Sequence, residues 1–170
     1  KYTGSIYEVM SAPISAFEVI IGYVGAAATK SIIISFLILL TATFFVSFEI
    51  KHPFWMFSLL VITGITFSLF GFIIGIWASN FEKLQLIPLI IITPLVFLGG
   101  SFYSTSMLPN FWKTITQLNP IFYIINGFRW SFFGTSDVAI HISLSCIAIF
   151  LFLCIIIVSI IFKTGYKIRD

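Results

Sequence analysis

Two histidines, six acidic side chains and two cysteines are all that this 170-residue chain offers for acid–base, nucleophilic or metal chemistry. Glu49, His52, Asp137 and His141 lie near the ends of apolar runs, where an intramembrane lipid-modifying enzyme would gather its catalytic groups. No recognised motif joins them. Asp137 and His141 are four residues apart, which predicts a local hydrogen bond along one helix face rather than a metal centre or proton relay. Glu49, Lys51 and His52 read as a short solvated turn. Cys146 and Cys154 fall inside one apolar run and match no zinc or disulfide spacing, so they read as small packing residues, and no metal site is expected. There is no G-x-x-x-x-G-K-[ST] loop to cradle phosphates, so ATP hydrolysis is not expected of this chain. Arg129 remains, set in the apolar segment "INGFRWSFF", where a charge is costly enough to suggest a role. It either snorkels to headgroups beside Trp130 or makes an electrostatic contact with an anionic substrate or the broken end of a half-helix.

The elements that would position these residues are membrane helices. Charged residues make up 9% of the chain and hydrophobic ones 59%, with a mean hydropathy of +1.13. A soluble domain carries about 25% charged residues. The expected class is an all-α, polytopic membrane helix bundle. Four continuous apolar runs are long enough to span lipid: 31–48, 54–79, 84–102 and 138–162. Segment 121–133 is apolar but too short to cross, which suits a re-entrant or interfacial helix. The net charge of +3 is small and its basic residues scattered, so nucleic acid is not an expected partner.

Four crossings put both chain ends on one side. Lys1, Lys30, Lys83, Lys163, Lys167 and Arg169 then oppose Lys51, Lys113 and Arg129, which makes the ends cytoplasmic and the 103–137 region external. Lys30 reads as an anchor at the inner interface. The first thirty residues hold two S-x-x-E capping boxes, Ser5 with Glu8 and Ser15 with Glu18, separated by Pro13. They predict a short helix near 6–12, a break, and a new helix opening at 16, stapled by Ile14 and Val19. The second span carries Gly64, Gly71 and Gly75. Gly71 and Gly75 form a small-xxx-small pair, which serves either packing within the bundle or a subunit contact.

The segment 93–123, "TPLVFLGGSFYSTSMLPNFWKTITQLNPIFY", interrupts itself repeatedly. Pro88 and Pro94 each remove a backbone donor from the third span. Gly99-Gly100 permits a sharp change of direction. Pro109 suits the first turn of a short amphipathic helix, with Leu108, Phe111, Trp112, Ile115 and Leu118 at spacings of three and four. Asn119-Pro120 stops it. Trp112, Tyr103 and Tyr123 are interfacial anchors by residue type. The reading is an external re-entrant helical hairpin over 103–134, which points to a translocation path or its outer gate because irregular backbone at membrane depth must be covered or line a cavity.

The stretch "FLGGSFYSTSMLPNFWKTITQLNPIFYIINGFRWSFFG" resembles the signature region of the ABC type-2 transporter permeases, the membrane subunits of polysaccharide, lipo-oligosaccharide and drug exporters. The matching residues are Phe97, Leu98, Gly99, Gly100, Phe102, Tyr103, Leu108, Pro109, Asn119, Pro120, Tyr123 and Arg129. Ser104 stands where many members of that family have a proline. "GSIYEVMSAPIS" is similar to the family's cytoplasmic coupling segment. The family usually has six spans, so the resemblance implies the C-terminal part of a permease, a single transmembrane domain over 1–170 without an N-terminal interfacial helix and two spans.

By that resemblance, region 5–15 docks on a cytoplasmic ATP-binding subunit through Ile6, Tyr7, Glu8, Met10 and Pro13, with Glu8 pairing or merely capping. ATP and Mg would be the partner's, and this chain would hold no cofactor. A second permease copy, as a homodimer or with a paralogue, and membrane lipid complete the implied partners, in a bacterial inner membrane. An intramembrane enzyme or a secondary transporter is the competing class, and the latter should show intramembrane acids or inverted repeats.

Overall fold

The computed structural model describes residues 15–47 and 49–164, so the coupling residues Ile6, Tyr7, Glu8, Met10 and Pro13 lie outside the described residues. Within the described residues the chain is helical, without strands. Three helices are long and apolar enough to cross a membrane.

Helix α1 (Ala16–Thr43) opens where the second capping box predicts. The Ser15 N–H donates to Glu18 Oε2 at 2.7 Å and the Glu18 N–H to Ser15 Oγ at 3.3 Å, which satisfies two of the amides a helix start leaves unpaired. α1 then runs unbroken through Lys30. Helix α2 (Pro53–Trp77) has proline at its first position, where the missing N–H costs nothing. The turn before it is docked through its backbone and His52, while the Glu49 and Lys51 side chains stay exposed as expected. The Lys51 and His52 amides donate to the carbonyls of Phe132 and Ser131, and His52 stacks on Trp130 with centroids 4.2 Å apart.

The expected third span is not one continuous helix. It is built from α3 (Phe81–Ile87), a π-helical turn (Pro88–Ile92) and α4 (Thr93–Phe97). Pro88 opens the turn and Pro94 follows two residues after its end, which explains the change of pitch, since each lacks an N–H and crowds the carbonyl one turn back. Thr93 answers the widened register, giving both its N–H and its hydroxyl to the Pro88 carbonyl. A 3-10 turn (Thr105–Met107), helix α5 (Asn110–Leu118), helix α6 (Pro120–Phe133) and helix α7 (Ile140–Thr164) complete the chain. Pro109 caps α5 from outside instead of sitting in its first turn.

α2 is the axis of the bundle. At one level Leu59 packs with Ile124 of α6 and Ile147 of α7. At the next, Leu69 meets Val24 of α1 and Cys154 and Val158 of α7, and Ile76 with Ile161 closes the far end. α1 and α2 run antiparallel in register. Ser31 faces Gly64, where a β-carbon would come within 2.8 Å of its hydroxyl, and Tyr23 meets Phe72 with centroids 6.0 Å apart.

That register corrects the placement of Lys30. Trp55 and Trp77, both exposed, bracket α2 about 33 Å apart at 1.5 Å per residue, close to a hydrocarbon core of about 30 Å. Lys30, beside Ser31, is level with Gly64 near the midpoint of that interval. Lys30 thus lies in the middle of a helix and not at its start, because α1 begins fourteen residues before it and not at 31.

Candidate functional site

The broken third helix ends in a turn where side chains claim the carbonyls of Leu95, Val96, Leu98 and Gly100. Ser101 Oγ donates to Val96 O at 3.0 Å and the Tyr103 hydroxyl to Leu98 O at 2.8 Å. Gly100 adopts φ +85°, a conformation that favours glycine, and packs beneath Phe122. Gly99 is demanded by closeness: a β-carbon there would lie 2.9 Å from Ile125 Cδ1 and 3.2 Å from Ile121 Cγ2 of α6. Phe102 stays exposed and stacks on Phe97.

Asn119 does more than stop α5. It caps the end of α5 and opens α6, accepting the Ile121 N–H at 3.0 Å, while its amide donates to Leu95 O at 2.6 Å. One side chain therefore starts the returning helix and holds α4 to it. Pro120 is the first residue of α6. Thr116 of α5 lies 3.3 Å from the Tyr103 hydroxyl, and the Tyr123 hydroxyl donates to Gln117 O at 2.7 Å. Leu108 is half-buried and Pro109 exposed beside them.

Arg129 sits at the centre. Its Nη2 donates to the carbonyls of Gly100 at 2.6 Å and Tyr103 at 3.3 Å, and its Nη1 lies 3.2 Å from Asp137 Oδ2. The guanidinium is turned to the end of the broken helix, not snorkelled beside Trp130. Asp137 also accepts the Ser104 hydroxyl at 2.6 Å and the Thr105 N–H at 2.7 Å. Its own N–H donates to Oδ1 of the fully buried Asn126 at 2.8 Å, whose amide bonds Phe122 O. Burial alone would raise the Asp137 carboxyl. The Ser104 and Thr105 hydrogen bonds and the Arg129 charge outweigh it and hold the pKa below the ordinary aspartate value.

The arrangement is a clamp. It joins the turn after α4, α6 and the segment before α7 through a charge pair 23% and 13% exposed. Asp137 does not serve His141: α7 starts at Ile140, so the two share no helical turn. Among the described residues no three His, Cys, Asp or Glu side chains converge on a metal-sized site.

Sequence reasoning brought out Arg129, paired Asp137 with His141 instead of Arg129, noted Ser104 only as a departure from the family's proline, and missed Asn126 and Thr105. A signal existed, for Asp137 is the only acid between Glu82 and Asp170. Ser104, the departure from the family's proline, bonds Asp137 and caps the 3-10 turn. Of the three glycines on α2, Gly64 meets α1, while Gly71 and Gly75 would carry a β-carbon with nothing within 4 Å. Packing within the described bundle thus accounts for Gly64 alone.

The ABC-2 type transporter family model matches residues 1–133. The chain is 36% identical over 151 residues to the inner membrane transport permease YadH of Escherichia coli (strain K12), covering 89% of this chain and 59% of that protein. It is 26% identical over 137 residues to Nodulation protein J of Neorhizobium galegae, covering 79% of this chain and 52% of that one. The chain thus spans about three-fifths of the length of YadH. No solved structure matches it. With the family model covering most of its length, the chain belongs to the ABC-2 type transporter family.

Proposed function

We propose that this chain forms the membrane permease of an ATP-driven exporter in a bacterial inner membrane, moving a glycolipid, polysaccharide or drug-like molecule outward. The observation that carries the reading is the clamp. A helix broken by two prolines and a π-turn would leave backbone carbonyls unsatisfied in lipid, and Asn119, Arg129 and Asp137 bind its end to the following helices. In this reading 81–102 makes a fourth crossing, α5 and α6 form a re-entrant hairpin, and residues 99–129 form the outer gate. Both ends of the chain are cytoplasmic. Region 5–15 meets an ATP-binding subunit that carries ATP and Mg, and two permease copies enclose the path.

Affinity purification of the full-length protein from its native membrane tests this. An ATP-binding subunit is expected to co-purify, and scrambling 5–15 is expected to abolish both co-purification and transport while leaving insertion intact. Recovery without an ATPase, with transport indifferent to the scrambled segment, would sink the proposal.

A further inference from the structure

The broken helix is a strut tied into the bundle at both ends. Its start follows α2 after the short link 78–80, in which Ala78 is fully buried. Asn80 accepts the Lys83 N–H at 3.0 Å and the Lys83 ammonium donates to Ser79 Oγ at 2.9 Å, which holds the first turn of α3 to that link. At the other end Asn119 holds Leu95 O, and Gly99 packs against Ile121 and Ile125 of α6. α6 in turn meets α2 around Leu59, about 27 Å along α2 from the link. Any tilt of α6 against α2 therefore changes the span that 81–97 must bridge.

The strut is weakest between the two ties. A regular helix would bond the carbonyls of Leu84 and Ile90 to the amides of residues 88 and 94, and both of those are proline. The wide turn instead sets the Thr93 N–H on Pro88 O, five residues back, and the Thr93 hydroxyl donates to the same oxygen at 3.2 Å. No residue of α3, the π-turn or α4 is buried within the described bundle, so side-chain packing there does not hold the turn straight. Prolines and π-turns are where helices kink, and π-turns recur at functional sites. Bending elsewhere in 81–97 breaks intact hydrogen bonds, whereas bending across 88–93 starts from a ladder that is already open. Thr93 adds a spare donor, which keeps Pro88 O paired when the N–H swings out of line.

We infer that the π-turn is a working joint: α3 moves with α2, α4 moves with α6, and residues 88–93 absorb the difference. Thr93 is its positioning residue, holding Pro88 O through the movement. The inference rests on the transport reading above and names the segment that flexes in it.

The test uses the full-length permease with its ATPase subunit in phosphatidylcholine nanodiscs. Cryo-electron microscopy of the nucleotide-free complex and of the complex trapped with a non-hydrolysable ATP analogue should show the angle between α3 and α4 changing by about 20°, the size of a proline or π-turn kink. The Asn119–Leu95 and Lys83–Ser79 bonds should persist in both. One angle in both states overturns the joint, as does a bend outside 88–93. Replacing both prolines, Pro88→Ala with Pro94→Ala, closes the ladder. ATP turnover by that complex should fall about thirtyfold, the worth of two backbone hydrogen bonds that bending must then break, with the unfolding midpoint at or above that of the wild type. Unchanged turnover overturns the joint, and a fall accompanied by a lower midpoint makes the prolines structural and overturns it too. Thr93→Val should lower turnover about fivefold and Thr93→Ser retain it within about twofold, as loss and retention of one hydrogen bond require. Equal turnover in these two overturns the role of Thr93. A wild-type complex that holds its ATPase while the angle stays fixed keeps the permease reading and loses the joint. A wild-type permease that binds no ATPase loses both.

Discussion

At the end of the broken helix the carbonyls of Leu95, Val96, Leu98, Gly100 and Tyr103 each receive a side-chain donor. Along the groove between α1 and α2 the opposite holds, for the lining hydroxyls of Tyr23, Ser35, Thr63 and Ser68 lack hydrogen-bond partners among the described residues. The same apolar chain thus contains a polar region that is complete in itself and another that waits for something. A satisfied network rigidifies, because each buried group that breaks away is left desolvated. An unsatisfied one at membrane depth belongs to a path or a partner. The end of the broken helix is therefore the fixed part of the molecule, and the groove between α1 and α2 a face whose hydroxyls the described residues leave unpaired.

The largest effect expected from breaking the clamp is that of Arg129→Ala. It strands the Asp137 carboxylate and uncovers two carbonyls at once. Breaking a buried pair costs about 3–5 kcal/mol, and the 23% exposure of this guanidinium lowers the expectation to about 2 kcal/mol. Thermal unfolding in detergent should show it, with transport falling further than assembly. Equal losses of transport and assembly would make Arg129 purely structural. Arg129→Lys should rescue only part, since a single ammonium cannot reach the Gly100 carbonyl and Asp137 with the geometry of a planar fork.

Gly100→Ala and Asn119→Ala come next. The first forces an alanine to φ +85°, costing about 1–2 kcal/mol without a steric clash, since a β-carbon would meet its nearest neighbour at 3.4 Å. The second removes a helix cap and the donor to Leu95 O, also about 1–2 kcal/mol. Unchanged unfolding midpoints in both would mean that the turn after α4 is not a fixed part.

How much of this contrast the sequence disclosed depended on the range of the interaction. The Ser15–Glu18 box, the break at the prolines and the shortness of 121–133 are local, and the structure realises each of them. The partner of Arg129 lies eight residues away beyond a turn closed by Gly134, where helical spacing no longer predicts proximity. A run of apolar residues starting at 31 puts Lys30 at the start of a span, whereas the helix it belongs to runs from Ala16 to Thr43. The register between α1 and α2, read from Gly64 and Ser31, is a tertiary fact that a hydropathy run does not carry.

Acid sharpens the comparison from the clamp side. The folded pKa of Asp137 is depressed, so its charge contributes stability above the unfolded carboxyl value of about 3.9 and loses it as pH falls through the folded value. The difference in unfolding midpoint between the wild type and Asp137→Asn should stay flat from pH 8 to 5 and shrink only below about pH 4. Shrinkage already between pH 7 and 5 would mean that the carboxylate is not held ionised by Ser104, Thr105 and Arg129.

The smallest expected effect lies on the open side and is the most informative about it. At Gly71 an added β-carbon meets nothing within 4 Å, and alanine is favoured over glycine inside a helix by about 1 kcal/mol. Taken alone, the described fold predicts that Gly71→Ala is neutral or slightly stabilising, unlike Gly100→Ala. Gly71 also lines the groove between α1 and α2, beside Ser68. If the open space is a path, Gly71→Ala leaves assembly untouched and changes transport only as far as one methyl narrows the groove. If it is filled by a closely packed helix of another subunit, the same methyl blocks the approach and assembly fails. Native-size measurement of the purified complex, read against its transport rate, separates the two, because only a packed interface makes so small a change at an empty position costly.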